Sequence, residues 1–328
     1  MGVVVDADRH FDVGLEDLAP FVDRAARREI EDATAGSLLP GTLGGPPDLG
    51  ADRAPDADYA VVFPGLVLTM TFHPSVRLEA AVCVAYARWL VEAYLPAHPR
   101  SLAMLYLPAR DPDAASRLVE DFGGASGVVG AFVTNLPAVR PFENRNMRLY
   151  GLLEERALPL GFHPLFLWTE PPFGVFDDYL AAYAYAGPFI QSGHLMNWVL
   201  SGMPERFPRL DCVFYGAGVA WLHFVAHRLD QGFMRRASEA PLLRERPSHY
   251  MRRYSYVTHP IEEADEAGCL DAAVRLIGAG RFLYGSNFPQ WDFDPPSAVD
   301  RLAALTPEER AAVLGANAAA LFRLGAAS

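Results

Sequence analysis

The sequence predicts an α/β fold, a distorted (β/α)8 TIM barrel in one domain, 1–328, with an N-terminal insertion, 12–58, over the barrel mouth. Three observations predict it. Short apolar runs alternate along the chain with longer helical stretches. Polar side chains follow several of these runs, where barrel strands reach their C-terminal rim. A chain of 328 residues has the normal length of one such barrel with insertions.

The first half of the chain supplies four predicted strands. Three valines at 3–5 predict the first strand, and Asp6, Asp8 and His10 follow at once. Apolar runs predict three further strands, at 60–64, 102–107 and 127–133. The helical stretches between them are 15–30, 75–94 and 113–122. Glycine and proline are frequent from 32 to 59, which is typical of a lid or a partner-contacting loop.

The second half supplies the remaining four strands. We predict them at 158–163, at 211–216, within 253–261 and at 282–284. The accompanying helices are 144–156, 192–201, 219–230, 270–279 and 306–321. Ser192 is the expected N-cap of the second of these helices.

Composition and charge exclude several classes of protein. The formal net charge of −12 argues against a nucleic-acid partner or an anionic membrane surface. No apolar run reaches 18 residues, and the first ten residues already carry Asp6, Asp8, Arg9 and His10, so we expect a cytoplasmic protein. Cys83, Cys212 and Cys269 lack metal-type spacing and are expected to be reduced.

The chain contains no lysine, because all 28 basic residues are arginine. Schiff-base catalysis, anchoring of pyridoxal phosphate and a P-loop lysine are therefore excluded.

Polar residues at two strand ends are candidate metal ligands. Asp8 and His10 are two residues apart, so on a strand both side chains point to the same side. His163 ends the fifth predicted strand, before Pro164. Structural explanations stay open, since carboxylates after a strand also cap turns and a histidine before proline also hydrogen-bonds a loop. On the last strand, the polar side chain at the corresponding point is Asn287.

Several motifs occur together in a characteristic order. They are DADRH at 6–10, LPLGFHP at 158–164, SGMPERFP at 201–208, PSHYMRR at 247–253, RFLYGSNFPQWDFD at 281–294 and NAAALF at 317–322. This series resembles the amidohydrolase superfamily, in the branch of the aminocarboxymuconate-semialdehyde decarboxylase-like hydrolases and decarboxylases. The resemblance covers about 4–322, which is essentially the whole sequence.

The resemblance implies that Asp8, His10 and His163 bind Zn2+ or another divalent metal. It also implies a departure from the family chemistry. The family's last-strand aspartate, a metal ligand and proton-transfer group, is Asn287 here, and Gln290 stands where a histidine usually follows. Many relatives have a glutamate or histidine where this chain has Gly216. An amide accepts no proton near neutrality and is a weak, neutral metal ligand.

Three hypotheses follow from these substitutions. In the first, a metal-dependent hydrolase or decarboxylase works at the altered Asn287 site with a replacement acid or base. The candidates are His194, His223, His259 and Asp292. In the second, a metal-free barrel catalyses a cyclisation, elimination or condensation. In the third, a non-catalytic relative binds a ligand. We favour an enzyme, since Asp8, His10 and His163 still match the motif.

The expected partner is a small carboxylated or aromatic molecule. Aromatic residues are frequent around the predicted mouth, and Arg9, Arg140 and Arg145 are candidates to hold a carboxylate. A homodimer is expected because the turn-rich insertion and the aromatic side chains need cover.

Overall fold

A computed structural model of the chain describes residues 2–11, 13–22, 27–28, 56–134, 143–166, 172–262 and 271–325. Eight parallel strands form one sheet in chain order. They are β1 Val5–Phe11, β2 Tyr59–Pro64, β3 Ser101–Tyr106, β4 Val128–Thr134, β5 Leu160–His163, β6 Cys212–Phe214, β7 Ser255–Val257 and β8 Phe282–Leu283. With helices between the strands, the predicted (β/α)8 barrel is confirmed.

Helices of very different length connect the strands. Those of four or more residues in the described part of the chain are α1 Leu15–Leu18, α2 Val76–Trp89, α3 Pro112–Phe122, α4 Met147–Arg156, α5 Tyr179–Leu200, α6 Met203–Arg206, α7 Trp221–Arg236, α8 Pro247–Met251, α9 Asp271–Ile277, α10 Pro307–Ala311 and α11 Asn317–Leu321. A π-helical turn, Leu90–Tyr94, extends α2, and a second one, Ala312–Ala316, joins α10 to α11. A 3-10 helix, Leu66–Phe72, follows β2.

The barrel closes where β1 meets the segment after β8. The amide of Ala7 donates to the Tyr284 carbonyl at 2.8 Å, and the amide of Asn287 donates to the Asp8 carbonyl at 2.7 Å. The amide of His10 then donates to the Phe288 carbonyl at 2.7 Å. Because β8 itself is two residues long, these bonds from its following loop complete the closure.

A buried carboxylate reinforces this closure. Asp6 is fully buried, and Ser286 donates to it twice, from its amide at 2.9 Å and from its hydroxyl at 2.6 Å. Arg9 Nε donates to the same carboxylate at 3.0 Å, and the Asp8 amide donates at 3.2 Å. Both oxygens of Asp6 are thus satisfied, and β1 is bound to the last loop of the barrel.

Aromatic side chains fill the barrel below its mouth. The ring centroid of Phe63 on β2 lies 5.0 Å from that of Phe132 on β4 and 4.9 Å from that of Tyr215 after β6. The Tyr215 hydroxyl donates to the Met104 sulfur on β3 at 3.1 Å. This packed aromatic layer lies directly below the polar residues of the mouth.

One local prediction was wrong, and one strand is longer than its apolar run. β1 extends through Asp6, Asp8 and His10 to Phe11, because hydrogen bonds to both neighbouring segments hold the chain extended. Ser192 is not an N-cap: α5 begins at Tyr179, where the Asp178 side chain accepts from the Ala181 amide. The first half of α5, 179–189, has no charged or amide side chain and includes Pro188, so no periodic pattern marked it.

Other expectations lie partly outside the described residues. Most of the insertion 12–58 is outside them, as are Arg140 and Cys269. Cys83 and Cys212 are free and buried. Within the described part of the chain, no helix has the length and apolar character needed to cross a membrane.

We predict that Asp6→Asn lowers the free energy of unfolding by about 3 kcal/mol, because an amide nitrogen would face donors that are buried and then unsatisfied. Urea unfolding followed by circular dichroism measures the change. Asp121→Asn, an exposed position at the end of α3, is the matched control and should stay within about 0.5 kcal/mol of wild type. Equal effects of the two substitutions would contradict the role of Asp6 in barrel closure.

Candidate active site

Three potential metal ligands meet at the mouth of the barrel. Asp8 and His10 come from β1, and His163 ends β5 on the opposite side of the barrel. One ligand atom from each lies within 4.8 Å of the others. All three residues are buried, with exposed fractions of 1% for Asp8, 8% for His10 and 7% for His163. The structure therefore brings together the three residues that the sequence singled out as ligands.

Ligand atoms of Asp8 and His163 lack hydrogen-bond partners among the described residues. Among the described residues, nothing donates to either carboxylate oxygen of Asp8, and Nε2 of His163 has no partner. His163 Nδ1 lies 3.2 Å from the Pro164 carbonyl, which can only accept, so Nδ1 carries a proton and Nε2 is the ring atom that faces Asp8. Orphaned buried oxygen and nitrogen atoms that face one point fit a divalent cation bound between them.

The two histidines also set the charge of Asp8. Oδ1 of Asp8 lies 3.4 Å from His10 Nε2 and 3.6 Å from His163 Nε2. Burial alone would raise the pKa of Asp8, but the contacts with His10 and His163 outweigh burial and hold the pKa below its usual range. Asp8 is therefore ionised at neutral pH, as a metal ligand must be.

Strand geometry explains why these side chains meet. Asp8 and His10 point to the same side because strand side chains alternate. The last strand approaches Asp8 closely at Gly285, where a Cβ atom would lie 2.8 Å from the Asp8 Cβ and 2.3 Å from Cγ1 of Val257. Only a residue without a side chain fits there, so Gly285 allows Asn287 to stand next to β1.

A cavity of about 560 Å³ opens above the cluster. Its volume is in the range of small-molecule sites. Helix α5 forms one wall, packing closely because a Cβ on Gly187 would lie 2.6 Å from the Gly216 carbonyl oxygen. The aromatic side chains in the lining are Phe166, Tyr179, Tyr183 and Trp291. The polar ones, besides the three candidate ligands, are His259, Glu262, Asn287, Gln290 and Asp292.

A second polar cluster centres on Asp292 and lies in the same cavity. The Asn287 side-chain amide donates to Asp292 Oδ1 at 2.8 Å, and the Tyr183 hydroxyl donates to Oδ2 at 2.6 Å. His259 Nε2 lies 3.3 Å from Asp292 Oδ2. On its other side, His259 Nδ1 lies 3.0 Å from Asp294 Oδ2, so both ring nitrogens face carboxylates.

This arrangement makes His259 a cation near neutral pH. Burial alone would lower the pKa of His259, but the hydrogen bonds and charges of Asp292 and Asp294 outweigh burial and raise the pKa to about 9. His259 also keeps the pKa of Asp292 low, although burial opposes it. His259 was a candidate acid or base in the sequence, and a protonated imidazole in this position suits the role of an acid.

Asn287 connects the two clusters. Its backbone amide donates to the Asp8 carbonyl, and its side chain donates to Asp292. Its φ of 57° lies in the left-handed region, which asparagine and aspartate tolerate better than most residues.

The structure does not bring His194 and His223 into the cavity. The ring centroid of His194 on α5 lies 5.0 Å from that of Phe162, which precedes His163 on β5 and so points to the outer helix layer. Burial lowers the pKa of His194 to about 4. His223 is exposed on α7, with its Nε2 3.1 Å from Nε2 of His227. Neither position supports the predicted role as replacement acid or base, since neither lines the cavity.

The arginines proposed for carboxylate binding have other contacts. Arg9 is paired with Asp6 in the barrel closure, and Arg145 is paired with Glu143 at the surface.

Sequence reasoning missed Tyr183 and Asp294 as members of the site. Tyr183 lies 109 residues before its partner Asp292, in a helix without a periodic pattern, so no local signal pointed to it. Asp294 belongs to the motif at 281–294, and its spacing of two from Asp292 was a signal that went unused.

Comparisons with known proteins agree with the motifs and the fold. The sequence model of the amidohydrolase family matches residues 5–324. The chain belongs to the amidohydrolase family. The family membership that the motifs predicted is confirmed, and so is the prediction of an enzyme. The relatives include carboxy-lyases.

Individual relatives include decarboxylases. The γ-resorcylate decarboxylase of Rhizobium sp. (strain MTP-10005) is 24% identical over 246 residues, covering 70% of this chain and 72% of the relative. An amidohydrolase from Mycobacterium avium subsp. paratuberculosis superposes with a TM-score of 0.78 at 18% identity, over 98% of this chain and 99% of that one. A dihydroxybenzoic acid decarboxylase from Polaromonas sp. was crystallised with manganese and the inhibitor 2-nitroresorcinol. It superposes with a TM-score of 0.69 at 17% identity, over 99% of this chain and 98% of that one.

The first prediction from this geometry concerns pH-dependent stability. The folded-state pKa of His259, about 9, exceeds its ordinary value of 6.5, so its stabilisation is complete below about 6.5 and is lost as the pH rises through 9. The loss amounts to roughly 3 kcal/mol. Urea unfolding at pH 6, 7.5 and 9 should show this loss in wild type and not in His259→Gln. A constant difference between the two proteins across this range would refute the assignment, and His223→Gln should follow wild type.

The second prediction concerns metal binding by Asp8, His10 and His163. After treatment with a chelator, wild type should bind one Mn2+ or Zn2+ in this cluster, and Asp8→Ala should weaken that binding at least 100-fold, since it removes the charged ligand. Isothermal titration calorimetry, with metal content by elemental analysis, measures both. His223→Ala is the matched control because it alters the exposed histidine pair on α7. Unchanged affinity in Asp8→Ala would exclude a metal in this cluster.

Proposed function

We propose that this chain is a metal-dependent carboxy-lyase that removes CO2 from a small, planar aromatic carboxylic acid. The observation that carries the proposal is the pairing of two clusters in one cavity. One has orphaned ligand atoms on Asp8 and His163, and the other holds a cationic histidine, His259, behind Asp292. The first cluster suits binding of a metal, and the second suits delivery of a proton.

Asp8, His10 and His163 would hold the metal. A carboxylate and two imidazoles suit Zn2+ and Mn2+ alike, and three protein ligands leave coordination positions open for a substrate. When bound there, the ion would attract the substrate carboxylate and withdraw electrons from it as a Lewis acid. The manganese in the Polaromonas decarboxylase is consistent with this donor set.

The acid–base groups favour decarboxylation over hydrolysis. Hydrolysis needs a base next to the metal to deprotonate water, and Asn287 is an amide that cannot serve. Among the described cavity residues, His259 is already protonated, and Asp292 accepts from Asn287 and Tyr183 while facing His259. Decarboxylation instead consumes one proton, since a carboxylate leaves as CO2 and its ring carbon gains hydrogen. In this proposal, His259 and Asp292 supply that proton.

The cavity walls favour a flat substrate. Tyr183 and Trp291 are in contact, with ring centroids 5.2 Å apart, and Tyr179 and Phe166 add further aromatic surface. An aromatic ring gains from such surfaces through offset or edge contacts. The Rhizobium and Polaromonas relatives are decarboxylases of dihydroxylated benzoic acids by name.

The test is incubation of the manganese-loaded protein with γ-resorcylate and a panel of hydroxylated benzoic acids in D2O. We expect CO2 release with one deuterium on the ring carbon that lost the carboxylate, measured by mass spectrometry. Asp8→Ala should lower kcat/KM at least 100-fold, because it removes the metal, and His223→Ala should leave it unchanged. Metal-dependent hydrolysis of esters or lactones without any CO2 release would overturn the proposal in favour of a hydrolase.

A further inference from the structure

We propose that Asn287 and Tyr183 are positioning residues that hold the Asp292 carboxylate between His259 and the substrate. Position 287 would then assist proton transfer by orienting Asp292, and Asp292 would carry the proton. The inference rests on the proposed decarboxylation for its chemistry, but its geometry does not depend on it.

The two donors fix both oxygens of Asp292. The Asn287 amide nitrogen binds Oδ1 at 2.8 Å, and the Tyr183 hydroxyl binds Oδ2 at 2.6 Å. The donors belong to different elements, the loop after β8 and helix α5. Hydrogen bonds to both oxygens from two rigid elements restrict rotation of the carboxylate, which is the requirement for a group that must meet a reacting atom.

Exposure decides which group reaches the substrate. His259 is 2% exposed, and both of its ring nitrogens face carboxylates, Asp292 and Asp294. The side chain of Asp292 is 10% exposed and lies in the cavity lining. His259 also borders the cavity, but its two ring nitrogens face Asp294 and Asp292, so a proton that moves from Nε2 to a molecule in the cavity passes through Asp292.

An amide at position 287 can donate a hydrogen bond to Asp292, whereas a carboxylate would be repelled by it. An aspartate there would place a second carboxylate about 2.8 Å from Asp292 Oδ1, where two like charges cannot both be ionised without a large penalty. The left-handed backbone at Asn287 suits aspartate almost as well as asparagine. The amide of Asn287 thus suits its partner Asp292, because an ionised aspartate at this position could not donate to it.

In the proposed reaction, the proton reaches the substrate from His259 through Asp292. His259 passes its Nε2 proton to Asp292 Oδ2 across 3.3 Å, and the neutral Asp292 then protonates the ring carbon that bears the carboxylate. The carbon–carbon bond to the carboxylate breaks, its electron pair returns to the ring, and CO2 leaves. Neutral His259 regains a proton from solvent, and Asp292 is again an anion held by its two donors.

The test begins with a reciprocal exchange of the two side chains. In Asn287→Asp/Asp292→Asn the new amide nitrogen donates to the new carboxylate, while its oxygen accepts from Tyr183 and faces His259. Asn287→Asp alone should lower the melting temperature at pH 7.5 by ~4 °C or more because of charge repulsion, and the double exchange should recover most of this loss. Asn197→Asp, exposed on α5, is the matched control for the added charge and should melt like wild type.

The titration of His259 gives a second readout that needs no substrate. The charged and titratable groups around it are Asp292 and Asp294, with Tyr183 next to Asp292 and Arg301 3.9 Å from Asp294. The double exchange removes the Asp292 charge, so the pKa of His259, measured by nuclear magnetic resonance, should fall from about 9 to below about 8.

Steady-state kinetics with a substrate that the protein decarboxylates distinguish a positioning role from a role in folding. Asn287→Ala and Tyr183→Phe each remove one donor, and each should lower kcat at least tenfold while KM changes less than about twofold. Tyr183→Phe loses a single hydroxyl and tests the inference if position 287 does not tolerate change. Wild-type kcat in both variants, or a double exchange that melts no higher than Asn287→Asp, would overturn the inference. Recovery of stability in a protein without decarboxylase activity would instead overturn the proposed function alone.

Discussion

The contact between Asp6 and Ser286 is the constraint on which the mouth of this barrel depends. A parallel barrel closes by pairing its first and last strands, but β8 has only two residues. Closure therefore relies on the loop after β8, whose Ser286 gives two hydrogen bonds to the buried Asp6 carboxylate. Asp8 and Asn287 are each within two residues of this contact, so their relative position is set by it.

The cavity contains two clusters of charged side chains, one centred on a carboxylate and the other on an imidazolium. In the first, one ionised carboxylate, Asp8, faces two imidazoles and has unused oxygen lone pairs. In the second, one imidazolium, His259, is held between two carboxylates, and its hydrogen-bonding capacity is filled. Buried charges are tolerated when they are paired and hydrogen-bonded. The second cluster meets this condition by itself, whereas the first meets it fully with a bound cation.

Helix α5 has a functional role that its composition conceals. It carries Tyr183 to Asp292 and also forms a wall of the cavity through Gly187, which lies against the loop at Gly216. The absence of a side chain at Gly187 is thus part of how α5 reaches the site, because a Cβ there would meet the Gly216 carbonyl oxygen. Gly216 and Asn287, two departures from the family pattern, both line this cavity.

The sequence by itself determined the barrel, the family and the three candidate metal ligands. Strand periodicity of two places Asp8 and His10 on one side, and polar residues at strand exits point to the shared rim, so local patterns suffice. Only the tertiary structure distinguished the candidate acid–base groups from one another. His194 and His259 look alike in sequence, but one packs against Phe162 in the outer layer, and the other lies between Asp292 and Asp294. Burial and charge set their pKa values in opposite directions, and both depend on contacts between residues far apart in the chain.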